Sequence, residues 1–154
     1  MLAERFKCET TVRFLAYLAQ EGRFSSFSDL TRHYGIADQD WPYVYALLYR
    51  HLDHVIDYCA KHDMPCLPVL AVSRKARKTG TMTERQIKRL SNRMAMVKYT
   101  QVGNMRNIRR HQKTCFTWAK RQYLNVDDMQ TAYGLPVPAY PPSPPAGAQV
   151  YMTA

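Results

Sequence analysis

Three features of the sequence predict a mainly α protein. Apolar residues recur every three or four positions through four long stretches, the spacing of a helix with one buried side. Only one segment, Leu67 to Ser73, is rich in β formers without that spacing. Ser, Thr, Asp or Asn precedes most of the periodic stretches and Gly often follows, as helix caps and stops do. At 154 residues with 46% hydrophobic content, the chain can bury the core of one ordinary domain and is too short for two large ones.

Thr10 to Glu21 is predicted as a first helix, with Phe14, Leu15, Leu18 and Ala19 buried and Gly22 stopping it. After the connector Phe24-Ser25-Ser26-Phe27, Ser28 is expected to cap a short helix from Asp29 to Tyr34 that Gly35 ends. Asp40 and Pro42 suit the opening of a long third helix, Trp41 to His62. Its stripe is Val44, Leu47, Leu48, His51, Leu52, Val55, Ile56 and Cys59. Met64-Pro65 breaks that helix, because the residue before a proline is pushed out of helical geometry. Leu67 to Ser73 then reads as a strand that runs into the charged turn Arg74 to Gly80, with Met82 opening a return strand. Three helices, a strand and a basic hairpin tip follow the element order of a winged helix-turn-helix module. The expected architecture is therefore a winged helix-turn-helix-like three-helix unit with a small β-hairpin, then two basic helices and a disordered Pro-rich tail. Residues 1–128 are expected to form one domain and 129–154 the flexible tail.

Charge is concentrated in one third of the chain. Residues 74–121 carry 15 Lys or Arg against a single acid, Glu84, whereas residues 1–73 hold 7 basic and 9 acidic residues. An excess confined in this way points to a polyanionic partner. Within it, Thr83-Glu84-Arg85-Gln86 reads as a capping box opening a helix whose apolar side is Ile87, Leu90, Met94 and Val97. Arg85, Lys88, Arg89 and Arg93 lie on its other side. After a break near Gly103 and Asn104, Met105, Ile108, Cys115, Phe116 and Ala119 form a second stripe. Arg106, Arg110, Lys113 and Lys120 make a ladder away from it. The predicted nucleic-acid-binding set is Arg74, Lys75, Arg77 and Lys78 on the turn, Arg85, Arg89 and Arg93 on the first basic helix, and that ladder on the second. Solvated helix faces are the plainer account of such charge, but the scarcity of interspersed acids argues against it.

The third helix does not look like a base-reading element. Asp38 and Asp40 at its start repel phosphates, and of the side chains that read base edges it offers only Arg50. Trp41, Tyr43, Tyr45 and Tyr49 instead resemble interface anchors, for a protein partner or a second copy of the chain. Sequence-independent gripping of the backbone is then expected, with DNA ahead of RNA. Stacking of unpaired bases on Tyr99 and Trp118 keeps RNA open.

Catalytic chemistry is not expected. A metal-dependent nuclease needs clustered carboxylates, and the basic region offers only Glu84. His51 and His54 read as core or surface residues. His111 among arginines lacks a second acid for metal-free RNA cleavage. Cys8, Cys59, Cys66 and Cys115 contain no Cys-x-x-Cys pair, and Cys59, His62 and Cys66 lack a fourth ligand, so neither metal nor cofactor is expected. No apolar run approaches a membrane span and the N-terminus lacks the layout of a secretory signal, so a cytoplasmic protein is expected. In the tail, Ala139-Tyr140-Pro141-Pro142 has the spacing of a polyproline ligand, although a flexible terminus is the plainer reading.

Tyr34-Gly35-Ile36, Leu48, Leu52, Ile56-x-Tyr58-Cys59, Pro65-x-Leu67-Pro68-Val69-Leu70-Ala71-Val72, the turn ending at Gly80 and Phe116-x-Trp118 carry a resemblance. Over residues 34–118 the chain resembles small bacterial and phage proteins with an N-terminal winged-helix-like unit. The resemblance implies an association with restriction, defence or mobile elements, and implies no catalytic residue. The basic helix at 84–98 stands where that group has a short variable segment. The expected function is nucleic-acid binding by a phage or mobile-element protein. The alternative is an interaction or inhibitor protein that engages an acidic protein partner in host–phage conflict. A protein that packages or coats nucleic acid is a third reading.

Overall fold

A computed structural model describes residues 5–122 of the chain, with the side chains of Asp38, Trp41 and Gln122 outside that description. The Pro-rich segment 129–154 also lies outside the described residues. The protein is mainly α. Its helices are α1 (Cys8–Gln20), α2 (Phe27–His33), α3 (Trp41–Lys61), α4 (Glu84–Met96) and α5 (Met105–Gln122).

Helix α1 is the axis of the core. Its residues from Thr11 to Ala16, together with Leu18 and Ala19, are buried, so it is covered nearly all round. It packs on α3, on α5 and on the turn Leu67–Leu70. Leu15 and Leu18 are fully buried, each stabilising the fold by roughly 1.5–3 kcal/mol through removal of apolar surface from water. Helix α3 supplies Val44, Leu48, Leu52, Val55, Ile56 and Cys59 from the predicted stripe, all buried. Its end is marked by Asp63, whose φ of 57° turns the chain into the left-handed region before Met64-Pro65.

The predicted β-hairpin is not what forms. Leu67–Leu70 is a 3-10 turn, and the only strand there is β2 (Ala71–Val72), paired in parallel with β1 (Ser25–Ser26). Pro68 explains part of this, since it has no N–H to give a ladder and its fixed φ suits a turn. The turn closes with the Val69 N–H donating to the Cys66 carbonyl at 3.1 Å. The β-forming side chains Leu67, Val69 and Leu70 are fully buried, so packing uses them without a long ladder. Met82 opens no return strand; its N–H meets the Met105 sulfur at 3.4 Å. The basic "hairpin tip" is instead the 3-10 segment Arg74–Ala76 and a turn to Gly80. Ser26, not Ser28, caps α2, in a capping box with Asp29.

Gly80 holds this region in place. Its φ is +74°, and a Cβ there would fall 2.3 Å from the Phe24 ring. The Gly80 carbonyl accepts from the Gln112 amide at 2.9 Å, and the Val69 carbonyl accepts from the same amide at 3.0 Å. Gln112 is fully buried, so one polar side chain of α5 satisfies two buried carbonyls that no ladder reaches.

The capping box predicted for α4 is present. The Thr83 hydroxyl accepts from the Gln86 N–H at 3.2 Å, and the Gln86 side-chain oxygen accepts from the Thr83 N–H at 2.9 Å. The Asn104 oxygen accepts from the Asn107 N–H at 2.9 Å and so caps α5.

Candidate nucleic-acid interface

The cations of residues 74–121 divide into two populations. Arg89 pairs with Asp53 at 3.2 Å. The Arg93 guanidinium meets the Asp57 carboxylate in a fork whose Nε donates at 3.2 Å, and Lys98 pairs with Asp63. The partners rise together along both chains, so α3 and α4 run in the same direction, side by side. Arg77 reaches the buried carboxylate of Asp29 at 3.3 Å. That carboxylate also accepts from the Ser26 N–H at 3.1 Å, which ties the basic turn to the start of α2. Pairs as exposed as those of α4 stabilise by only about 0–1 kcal/mol each. Their larger effect is to cancel charge where the sequence suggested an open cationic face.

These four pairs account for four of the 15 cations, leaving eleven with no carboxylate partner among the described residues. Arg74, Lys75 and Lys78 are exposed on the turn, Arg85 and Lys88 on the first two turns of α4, and Arg106, Arg110, Lys113 and Lys120 along α5. Arg110 only touches the neutral Gln101 oxygen, at 3.4 Å. Arg109 points back into the fold, donating to the Thr79 carbonyl at 2.5 Å and the Gln112 oxygen at 2.8 Å. Of the predicted binding set, Arg77, Arg89 and Arg93 are thus committed to internal pairs, and the remaining eight are exposed. Asp53 and Asp57 are the residues that sequence reasoning passed over. Their signal was available: both stand off the apolar stripe of α3 at the same four-residue interval as Arg89 and Arg93.

A cleft of about 680 Å³ lies between α3 and α4. Leu52, Ile56, Met82 and Leu90 give it an apolar floor, Phe27, Tyr45 and Tyr49 an aromatic wall, and Arg85 and Arg89 a cationic rim. The Arg89 guanidinium lies 4.5 Å from the centre of the Tyr49 ring, within cation–π range. A second cleft of about 470 Å³ adjoins it, sharing Phe27, Tyr49 and Gln86, with Arg74 on its edge. Neither a family model, a curated protein nor a solved structure matches this chain.

The aromatic residues differ in exposure. Tyr43 is 76% exposed and Tyr45 46% exposed, while Tyr49 is half-buried. The Tyr99 hydroxyl donates to the Met64 carbonyl at 2.7 Å, and its ring packs on the core, as does that of Trp118.

His111 is tied to the Thr100 carbonyl at 2.8 Å. Burial pushes the Cys59 thiol up to about 12 and the Cys66 and Cys115 thiols well above their usual range, so all three stay protonated and unreactive near neutral pH. Among the described residues no group of three His, Cys, Asp or Glu could hold a metal ion. No helix among them is long and apolar enough to cross a membrane.

Proposed function

We propose that this protein binds nucleic acid, gripping phosphates without catalysis. The observation that carries the reading is the set of exposed cations left after internal pairing: Arg74, Lys75, Lys78, Arg85 and Lys88, and the α5 ladder of Arg106, Arg110, Lys113 and Lys120. Such a surface favours a polyanion with regularly spaced charge. The α1–α2–α3 order supports a winged-helix-like unit in which the wing is replaced by the 74–80 turn. The start of α3 bears Tyr43 and Tyr45, not base-reading cations, so contacts to phosphate, not base edges, carry the affinity. Residence in the cytoplasm of a bacterial host, as part of a phage or mobile element, belongs to the same reading.

The test is a salt titration. Log affinity for duplex DNA falls linearly with log salt, by about 0.9 per phosphate contact. Replacing Arg106, Arg110 and Lys113 by Gln keeps helix propensity and is expected to weaken binding to all sequences alike, with a shallower slope. Circular dichroism checks that the fold survives. If the wild type binds neither duplex nor single strands at low salt, the reading fails and an acidic protein partner takes its place.

A further inference from the structure

We infer that the cleft between α3 and α4 holds unpaired bases, which makes single-stranded nucleic acid the preferred ligand of this protein. The inference rests on the nucleic-acid reading and adds to it a site and a strand preference.

The chemistry of the cleft is layered. Its wall is aromatic, with Tyr45 and Tyr49 ring centres 6.2 Å apart and Phe27 and Tyr49 5.4 Å apart, each pair nearly edge to face. Tyr45 is 46% exposed, so the wall presents an accessible ring, and every base has a π-face to lay against it. The Arg89 guanidinium lies 4.5 Å from the Tyr49 ring centre and donates to Asp53, so it is fixed beside the wall instead of competing as a loose charge. Arg85 lines this cleft and Arg74 the adjoining one, both exposed and without a carboxylate partner among the described residues. They are placed for the phosphates on either side of a bound base. Gln86 lies on both clefts. Its oxygen is used by the helix cap, which leaves its amide N–H groups to meet a base edge. A volume of about 680 Å³ falls in the range of roughly 300–1,000 Å³ that small planar ligands occupy.

A duplex hides its base faces, so it can use the cations but not the cleft. Unpaired strands can use both. A purely acidic peptide would engage the rim and leave the aromatic wall without a partner, and an uncharged segment would leave the rim without one. Rim and wall together match a base–phosphate repeat.

Fluorescence anisotropy of the full-length chain tests this, with labelled dT12, labelled U12 and a 12-base-pair duplex as probes in low salt. Tyr45→Ala removes an exposed ring and is expected to weaken dT12 and U12 by roughly tenfold, within the range for one lost stacking contact. Duplex affinity stays within about twofold. Tyr45→Trp restores single-strand binding. A strand carrying 5-iodouracil, irradiated in complex, is expected to crosslink to Tyr45 or Tyr49. If the wild type binds duplex with the expected salt slope but Tyr45→Ala leaves dT12 and U12 unchanged, or crosslinks map to α5 alone, the cleft is not a base site although the protein still binds nucleic acid. If an acidic peptide, and neither strand, depends on Tyr45, the cleft belongs to a protein partner and the inference is overturned.

Discussion

Lowering the pH from 7.5 to 5 should remove about 4 kcal/mol of folding stability, because two histidines are held neutral in the fold. The Nε2 of His51 lies 2.6 Å from the Thr11 hydroxyl, which also bonds the Tyr34 hydroxyl at 2.6 Å. Its ring stacks on Phe6 with centres 5.0 Å apart. Burial, with His54 on the same helix as a lesser cause, lowers His51 from 6.5 to about 4. The His33 ring stacks on Phe14 at 4.6 Å, and burial followed by the Arg13 charge lowers it likewise to about 4. In the unfolded chain both take up a proton near 6.5. Between there and about 4 the unfolded state therefore holds more protons, so stability is full above that window and falls as the pH drops through it. At about 1.4 kcal/mol per pH unit, each histidine loses about 2 kcal/mol by pH 5. Against a typical total of about 5–15 kcal/mol, the pair is a large share. Urea unfolding followed by circular dichroism at pH 7.5, 6 and 5 measures it. His51→Gln keeps a polar partner for Thr11 and His33→Phe keeps the ring on Phe14; each should flatten the fall by about 2 kcal/mol. If both variants lose stability with pH as steeply as the wild type, these histidines are not the cause.

Three further outcomes follow from the packing and the ion pairs. Leu48→Ala should cost about 2–5 kcal/mol in urea unfolding, since Leu48 is fully buried on α3. Gly80→Ala should cost more than about 1 kcal/mol and lower the melting temperature, because a Cβ at φ +74° meets the Phe24 ring. Asp57→Asn should leave stability within about 1 kcal/mol yet tighten polyanion binding, because it releases the Arg93 charge.

How much of this was legible in the sequence differs by the kind of interaction. The stripes of α3 and α5, and the Thr83 capping box, are local patterns that formed largely where their spacing placed them, although Leu47, Met105 and Phe116 are only half-buried. The strand at Leu67–Ser73 was misjudged because β propensity and burial in a turn draw on the same residues. Pro68 was the counter-signal. The pairing of Ser25–Ser26 with Ala71–Val72 joins residues 46 apart, and nothing in two serines announces it. Gln112 was indistinguishable from a surface polar residue until the fold placed two bare carbonyls beside it. For the site, the net charge was readable but its internal cancellation was not, since Asp53 and Asp57 meet α4 only through the packing of two helices.

That cancellation shapes how the remaining charge can act. The α5 ladder runs from residue 106 to 120, roughly 21 Å at 1.5 Å per residue. Helix α5 is also what anchors the basic turn: Arg109 donates to the Thr79 carbonyl and Gln112 to the Gly80 carbonyl. Ladder and turn therefore move as one frame, and a strand lying along the ladder keeps a fixed relation to Arg74, Lys75 and Lys78. The paired cations of α4 reach across to carboxylates of α3, and there Asp53 holds Arg89 beside Tyr49. Four ladder contacts alone would give a salt slope of about −3.6 on duplex DNA and about −2.8 on a single strand. A single strand that also reaches the cleft gains stacking, which is nearly independent of salt. Its affinity should then exceed that of the duplex most clearly at high salt, where the phosphate contacts have faded and the aromatic wall has not.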